Sequence, residues 1–124
     1  MDREAGEERV ALCGANAYDK KYYFNEKFAG LPVSIKEELR IISVLFTEEA
    51  GGIFTIEFEK DGNITMRTEY AQDDFLYDEI GSGLLVGEIR RKRQEMFESL
   101  SLYYRVFILH EDPAGLLAGA EKEP

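Results

Sequence analysis

Two glycines around a serine, Gly81-Ser82-Gly83, form the local pattern with the clearest potential for chemistry. An apolar helical pattern follows, and a glycine turn that enters a helix can aim backbone N–H groups at an anion. The pattern lacks the Gly-Lys-Ser/Thr ending of a P-loop and the third glycine of a dinucleotide fingerprint. Asp78 and Glu79 lie beside it and would repel phosphate. Gly81, Ser82 and Gly83 are therefore a candidate ligand-binding or enzyme site, and an ordinary turn or close-packing position is the competing interpretation.

The side chains that usually catalyse reactions or bind metals form no recognisable set. Acidic pairs occur at Glu48-Glu49, Asp73-Asp74 and Asp78-Glu79, but none has the spacing of a calcium loop. His110 is the sole histidine and Cys13 the sole cysteine, and most of the sequence separates them. A cysteine nucleophile needs a nearby base, so a small buried side chain is the better interpretation of Cys13. The sequence predicts no catalytic residue, metal ligand or cofactor, and an enzyme is not favoured.

Arg90-Arg91-Lys92-Arg93 is the one basic cluster of the sequence. Four consecutive helical residues span more than one turn, so they do not all face one partner. Glu88 stands four residues before Lys92 and can pair with it on the solvent face. A solvated helix face is the first interpretation. Contact of Arg90, Arg91 and Arg93 with nucleic acid is the alternative, which the acidic remainder of the chain disfavours.

Aromatic clusters supply further candidate interaction residues. Tyr22-Tyr23-Phe24 and Tyr103-Tyr104 would mostly build core, but at least one ring of each group must point away from its neighbours. An outward ring at Tyr22, Tyr23 or Tyr104 would offer a surface to a protein partner or to a second copy of the chain.

The net charge of −10 lies largely at the two ends of the 124-residue sequence. Residues 1–8 and residues 111–124 each carry four acids and one base, so they supply six of the ten net negative charges. We expect both segments to be flexible and acidic, around a single domain at residues 9–110. The first ten residues lack the pattern of a secretory signal, and no apolar run reaches the length of a membrane span. A single cysteine fits a reducing compartment. We therefore expect a cytoplasmic protein without membrane contact.

Local patterns predict six elements. Two strands are expected at Val10–Gly14 and Lys21–Asn25, and two more at Ile53–Lys60 and Ile64–Tyr70, around the tight turn Asp61-Gly62-Asn63. Ser34 and Glu37 form a capping-box pattern that predicts a helix start, and Gly51-Gly52 predicts its end. A loop or short helical piece is expected around Phe75–Ser82, followed by one long helix that ends near Phe107. The order β-β-α-β-β-α predicts an α+β fold, with an antiparallel sheet of about four strands covered by two helices in two layers.

Four segments carry a resemblance: Leu12–Tyr18, Lys21–Asn25, Phe46–Glu49 with Gly51-Gly52, and Leu102–Arg105. Together they resemble a family of small uncharacterised proteins, a domain of unknown function from clostridia-type Gram-positive bacteria. The resemblance covers about residues 9–109. It implies a bacterial cytoplasmic protein and brings no known activity, cofactor or catalytic residue.

With no catalytic set in view, the sequence favours a non-enzymatic protein-interaction or regulatory module that binds a protein partner or forms a homodimer. A small-ligand site near Gly81–Gly83 is the first alternative, and nucleic-acid contact through the last helix is the second.

Overall fold

A computed structural model of the protein describes residues 9–112 and residue 114. The predicted N-terminal segment 1–8 lies outside these residues, as does the predicted C-terminal segment 111–124 except for residues 111, 112 and 114. The described residues form four strands and three α-helices, with a short 3-10 turn at Glu26–Phe28. In chain order they are β1 (Val10–Asn16), β2 (Lys21–Phe24), α1 (Val33–Ala50), β3 (Ile53–Phe58), β4 (Ile64–Glu69), α2 (Glu79–Lys92) and α3 (Gln94–Phe107).

The four strands form one antiparallel sheet in the order β2-β1-β3-β4. The predicted α+β class and the four-stranded antiparallel sheet are therefore confirmed. The pairing of β1 with β3 shifts register between Ala11 and Cys13, so β1 carries a bulge at Leu12. Beyond the bulge, Gly14 lies so close to β3 that an added Cβ would stand 2.6 Å from the Phe54 carbonyl oxygen. Only glycine fits at that point of the sheet.

The β3–β4 hairpin reverses where Asp61-Gly62 predicts a turn. The Gly62 N–H donates to the Glu59 carbonyl, and Gly62 has a φ of 96°, a left-handed conformation that glycine adopts without a side-chain clash. The Glu59 N–H then donates to the Asn63 carbonyl and begins the ladder between the two strands.

The first helix, α1, begins differently from the prediction. Ser34 and Glu37 do not form the expected capping box, because the helix starts at Val33, two residues before the start that an N-cap at Ser34 would give. Pro32 is the N-cap residue, and its carbonyl accepts hydrogen bonds from Ile35 and Lys36. A proline lacks its own N–H, so it suits this boundary without a side-chain cap. The predicted end is confirmed: Gly51 and Gly52 both have positive φ values, of 80° and 72°.

The last helical segment is two helices rather than one. The break falls at Arg93, which has φ −113° and ψ 25° and separates α2 from α3. The change of direction lets α3 place its own apolar residues against the sheet, where the Tyr104 ring stacks on Phe58 with 4.3 Å between ring centroids. The predicted end at Phe107 is confirmed. The start lies at Glu79, so Gly81, Ser82 and Gly83 belong to the helix instead of a loop before it.

The core lies between the three helices and one face of the sheet. Phe54, Ile56 and Phe58 alternate on that face of β3 and are fully buried. Phe46 of α1 stacks on Phe54 with 4.4 Å between ring centroids, at the opposite end of β3 from Tyr104. One aromatic contact therefore joins α1 to one end of β3, and a second joins α3 to the other end.

On the other face of the sheet, Glu57 of β3 is buried. Its side chain is only 7% exposed, although Arg67 of the neighbouring strand is 44% exposed. Nε and Nη2 of Arg67 both donate to the Glu57 Oε2 atom, at 3.0 and 2.7 Å. The Arg9 guanidinium stands 3.9 Å from Oε1. Two arginines thus compensate the buried charge.

Candidate functional site

The glycine pattern at residues 81–83 lies in the first turn of α2 and is already capped by the protein. Oδ1 of Asp78 accepts a hydrogen bond of 3.0 Å from the Gly81 N–H, and the Ser82 hydroxyl donates to the Glu79 carbonyl. The Asp78 carboxylate thus occupies the place that an anion would take at this helix start. Ligand binding at Gly81, Ser82 and Gly83 stays a prediction, and this cap does not favour it.

The basic cluster at the end of α2 spreads around the helix. Arg90 donates to the Ile64 carbonyl at 3.4 Å, towards the edge of β4. Lys92 pairs with Glu88 at 2.7 Å, as its spacing predicts, and Arg93 reaches α1. Arg91 has no ion-pair partner among the described residues. Arg90, Arg91 and Arg93 therefore do not converge on one surface, and nucleic-acid contact through them stays a prediction without support from the geometry.

The three candidate tyrosines have different environments. Tyr104 was expected as an outward ring, but it is 5% exposed because it stacks on Phe58 in the core, so it is not available to a partner. Tyr22 is half-buried, and its hydroxyl is enclosed without a hydrogen-bond partner among the described residues. Tyr23 points outward and is 56% exposed. Its role in an interaction stays a prediction.

The thiol of Cys13 is buried in the core beside α1. Its Sγ atom lies 3.7 Å from the Ser43 hydroxyl oxygen. Burial raises the pKa of Cys13 to about 11, and the nearby Ser43 and Tyr22 hydroxyls only partly oppose the shift. His110, the single imidazole, is exposed beyond the end of α3. A protonated, enclosed thiol is a poor nucleophile, as the sequence led us to expect.

Four large apolar side chains stand out from the surface at the start of α2. Phe75 and Leu76 precede the helix, and Ile80 and Leu84 lie one turn apart on it; their exposed fractions are 89%, 95%, 79% and 72%. We call these four residues the α2 apolar surface. Single exposed apolar residues are ordinary, but four large ones within ten consecutive residues are a candidate interaction surface.

Two glycines border this surface along the helix. At about 100° per residue, Gly83 and Gly87 flank Ile80 and Leu84 on the outer side of α2, and Arg91 follows on the same side. A Cβ added at Gly83 or Gly87 would meet nothing within 4 Å, so the backbone is open there. The opposite side of α2 packs on the core through Leu85, Val86 and Ile89.

The apolar helical pattern that follows Gly83 in the sequence corresponds to the inner side of α2. The outer surface does not emerge from the sequence, because a loop or short helical piece is expected around Phe75–Ser82, which separates Ile80 from Leu84. The four-residue spacing of Ile80 and Leu84 was the available signal.

No group of three or more histidine, cysteine or acidic side chains that could hold a metal ion occurs in the described part of the chain. Among residues 9–112 and 114, no helix is both long enough and apolar enough to cross a membrane.

The described residues define the class: an α+β domain with a four-stranded antiparallel sheet, three α-helices and exposed apolar side chains at the start of α2. The chain belongs to the family of unknown function DUF6145, whose match spans residues 9–112. Neither a curated protein nor a solved structure matches it.

Proposed function

We propose that this protein is a non-enzymatic interaction module that pairs with a second copy of itself through the α2 apolar surface. The observation that carries the proposal is the exposure of Phe75, Leu76, Ile80 and Leu84, each at least 72% exposed. Burying one such side chain yields about 1.5–3 kcal/mol, so four on each copy supply a substantial driving force. This assignment develops the interaction role that the sequence favours.

The backbone of α2 suits a close crossing with another helix. Gly83 and Gly87 are four residues apart on the exposed side and have open space above them. Small residues at this spacing let two helix backbones approach, while Ile80 and Leu84 pack beside the crossing. In a two-fold dimer both copies use the same surface. Ile80 and Leu84 of each copy can then pack over the open positions at Gly83 and Gly87 of the other.

The charges on α2 favour an antiparallel arrangement of the two helices. Asp73, Asp74, Asp78 and Glu79 lie before or at its start, whereas Arg91 lies in its last turn on the exposed side. A two-fold antiparallel crossing places Arg91 of each copy over the acidic start of the other. A parallel crossing would put like charges together, so charge complementarity selects a second copy in the antiparallel orientation.

Sedimentation equilibrium over a wide concentration range tests this proposal. The wild-type protein is expected to approach twice the monomer mass with a dissociation constant in the micromolar range, since the entropy lost on association offsets much of the free energy of burial. Leu84→Asp is expected to stay monomeric and folded, because Leu84 is exposed in the monomer. A wild-type protein that remains monomeric at several hundred micromolar would refute the proposal.

Val33→Asp is the matched control. Val33 is 76% exposed, lies at the start of α1 rather than on α2, and occupies a first-turn position that accepts an acidic residue well. It makes the same change of apolar to acidic side chain and should leave the mass distribution unchanged. If Val33→Asp dissociates the dimer as Leu84→Asp does, the effect comes from net charge and not from the α2 apolar surface.

The bacterial origin and cytoplasmic location implied by the resemblance remain predictions, as do the ligand site near Gly81–Gly83 and nucleic-acid contact. The cap by Asp78 and the divergence of Arg90 and Arg93 give those two alternatives less support than the α2 apolar surface.

A further inference from the structure

A cavity of about 590 Å³ opens between the tip of the β1–β2 hairpin and the C-terminal half of α1. Its volume lies within the range of roughly 300–1,000 Å³ typical of small-molecule sites. Ala15, Ala17 and Val44 give part of the wall an apolar character, and Tyr22 contributes an aromatic ring. The cavity is well separated in sequence from the α2 apolar surface.

Positive charge predominates around this cavity. Lys20, Lys21 and Arg40 line it, against one carboxylate, that of Glu48. Arg40 uses Nη2 to donate to Glu37 at 2.9 Å. Neither Lys20 nor Lys21 forms an ion pair with any residue that the structure describes. Together with Arg40 they give this cavity a positive charge in a protein whose net charge is −10.

The backbone at Lys20 is unusual for its residue type. Lys20 has a φ of 55°, in the left-handed region that glycine and asparagine adopt far more readily. The preceding turn is fixed by Asn16, whose side-chain oxygen accepts hydrogen bonds from the Tyr18 and Asp19 N–H groups. The hairpin therefore holds a lysine where backbone geometry favours glycine, and its ammonium group is the property that glycine lacks.

We propose that this cavity binds a small organic anion, with a phosphate or carboxylate group held by Lys20, Lys21 and Arg40. The apolar body of the ligand lies against Val44 and the Tyr22 ring. Burial also raises the pKa of the Tyr22 hydroxyl, so this ring stays neutral and adds no negative charge to the site. Cationic side chains around a partly apolar cavity supply both the charge recognition and the desolvated contact that such a ligand needs.

Isothermal titration calorimetry with three related probes tests the proposal. Phenyl phosphate and phenylacetate carry the two anionic groups on similar aromatic bodies, and benzyl alcohol is their neutral counterpart. One or both anions are expected to bind saturably and more tightly than the alcohol, and the tighter anion distinguishes a phosphate site from a carboxylate site. The absence of saturable binding by both anions, or equal affinity for benzyl alcohol, would overturn the proposal.

Lys20→Gly separates a binding effect from a folding effect. Glycine adopts a φ of 55° without strain, so the unfolding temperature of the variant should be unchanged or higher. Its affinity for the tighter anion should fall about tenfold, because one cationic contact is lost. Lys21→Ala should weaken binding similarly. Lys27→Ala, an exposed lysine on the 3-10 turn outside the cavity, is the control and should bind as the wild type does. Wild-type affinity in a Lys20→Gly, Lys21→Ala double variant would exclude this site.

Leu84→Asp keeps this test independent of self-association. It removes the proposed dimer contact and leaves the cavity lining intact, so it should retain wild-type affinity for the anion. Loss of anion binding in this variant would place the binding site at the dimer contact and overturn the assignment to the hairpin cavity.

Discussion

Nη2 of Arg93 lies 2.6 Å from Oε2 of Glu38, and this ion pair connects the break between α2 and α3 to the side of α1. Arg93 is the N-cap residue of α3 and offers no side-chain cap to it. Its side chain instead fixes where the chain turns. A residue that belongs to a basic run in the sequence therefore has a structural partner in the fold.

A double-mutant cycle between Arg93→Ala and Glu38→Ala measures the strength of this connection. The two side chains are 40% and 33% exposed, so solvent screens their attraction and the expected coupling is only about 0.5–1 kcal/mol in the free energy of unfolding. Urea denaturation of the four proteins at low ionic strength measures it. Arg91→Ala should show no coupling with Glu38→Ala, and a coupling as large as that of Arg93 would contradict the specific contact.

Much of the fold follows from signals that lie within a few residues of each other. The turn at Asp61-Gly62 and the helix end at Gly51-Gly52 are local backbone requirements, and both appear where the sequence predicts them. The break at Arg93 has no such signal, because neither glycine nor proline occurs there. It depends on contacts that form only in the folded chain, those of Arg93 with Glu38 and of Tyr104 with Phe58.

The candidate sites divide in the same way. Ile80 and Leu84 carry a readable spacing, whereas the cavity beside Lys20 and Lys21 exists because the β1–β2 hairpin approaches α1, which no short pattern encodes. The burial of Tyr104 likewise has no local signal. The break at Arg93 sets the orientation of α3, and that orientation decides that Tyr104 enters the core. Residue type alone does not show which aromatic and apolar side chains reach the surface, because tertiary packing decides that.

Substitution of Gly83 by alanine should have opposite effects on folding and on self-association. An added Cβ meets nothing within 4 Å, so Gly83→Ala should stabilise the monomer by about 0.5–1 kcal/mol through helix propensity. In the proposed dimer, the same methyl group would separate the two crossing helices and weaken self-association. Thermal unfolding at low concentration and sedimentation at high concentration measure the two effects, and a stabilised variant with unchanged association would contradict close helix contact.

Gly14→Ala provides the contrast for the same chemical change. Its added Cβ would stand 2.6 Å from the Phe54 carbonyl oxygen, a backbone atom that cannot move without disturbing the sheet. A loss of about 2 kcal/mol or more in the free energy of unfolding is expected, in line with overpacking in a core. A neutral effect in urea denaturation would show that β1 and β3 adjust at the bulge.

Reversing the charge at Arg91 tests the antiparallel orientation of the proposed dimer. Arg91→Glu places a carboxylate over the acidic start of the partner helix, so the dissociation constant should rise about tenfold at low salt. Adding Asp73→Arg should recover part of the affinity, because the two changes restore opposite charges across the contact. Lys27→Glu makes the same change of charge elsewhere on the surface and should have little effect. Equal effects of Arg91→Glu and Lys27→Glu in sedimentation would argue against this orientation.

The ion pair between Arg67 and Glu57 should be costly to break from one side. Arg67→Ala leaves the Glu57 carboxylate, 7% exposed, with only the Arg9 guanidinium at 3.9 Å, so a loss of about 2–3 kcal/mol in stability is expected. Glu57→Thr combined with Arg67→Ala removes the stranded charge and suits a strand, so it should recover much of the loss. Urea denaturation measures the free energy of unfolding of the single and double variants. Equal stability of the two would show that the Glu57 carboxylate is not destabilising when Arg67 is absent.

The buried thiol of Cys13 should make the protein less stable at alkaline pH. Burial raises its pKa from an ordinary value of 9.0 to about 11, so the folded state favours the protonated thiol. This contribution to stability is fully present below pH 9 and is lost as the pH rises towards 11. Linkage gives a loss of about 2 kcal/mol in the free energy of unfolding between pH 8 and pH 10.5.

Cys13→Ala isolates that contribution, because its stability should fall less over the same pH interval than that of the wild type. Tyr22, whose pKa is also raised by burial, adds to the alkaline loss, and Tyr22→Phe serves to subtract it. Urea denaturation of the three proteins at both pH values gives the differences. Iodoacetamide should label Cys13 slowly in the native protein and rapidly in urea. Rapid native labelling, together with identical pH dependence in wild type and Cys13→Ala, would show that the thiol reaches solvent as a thiolate in the folded state.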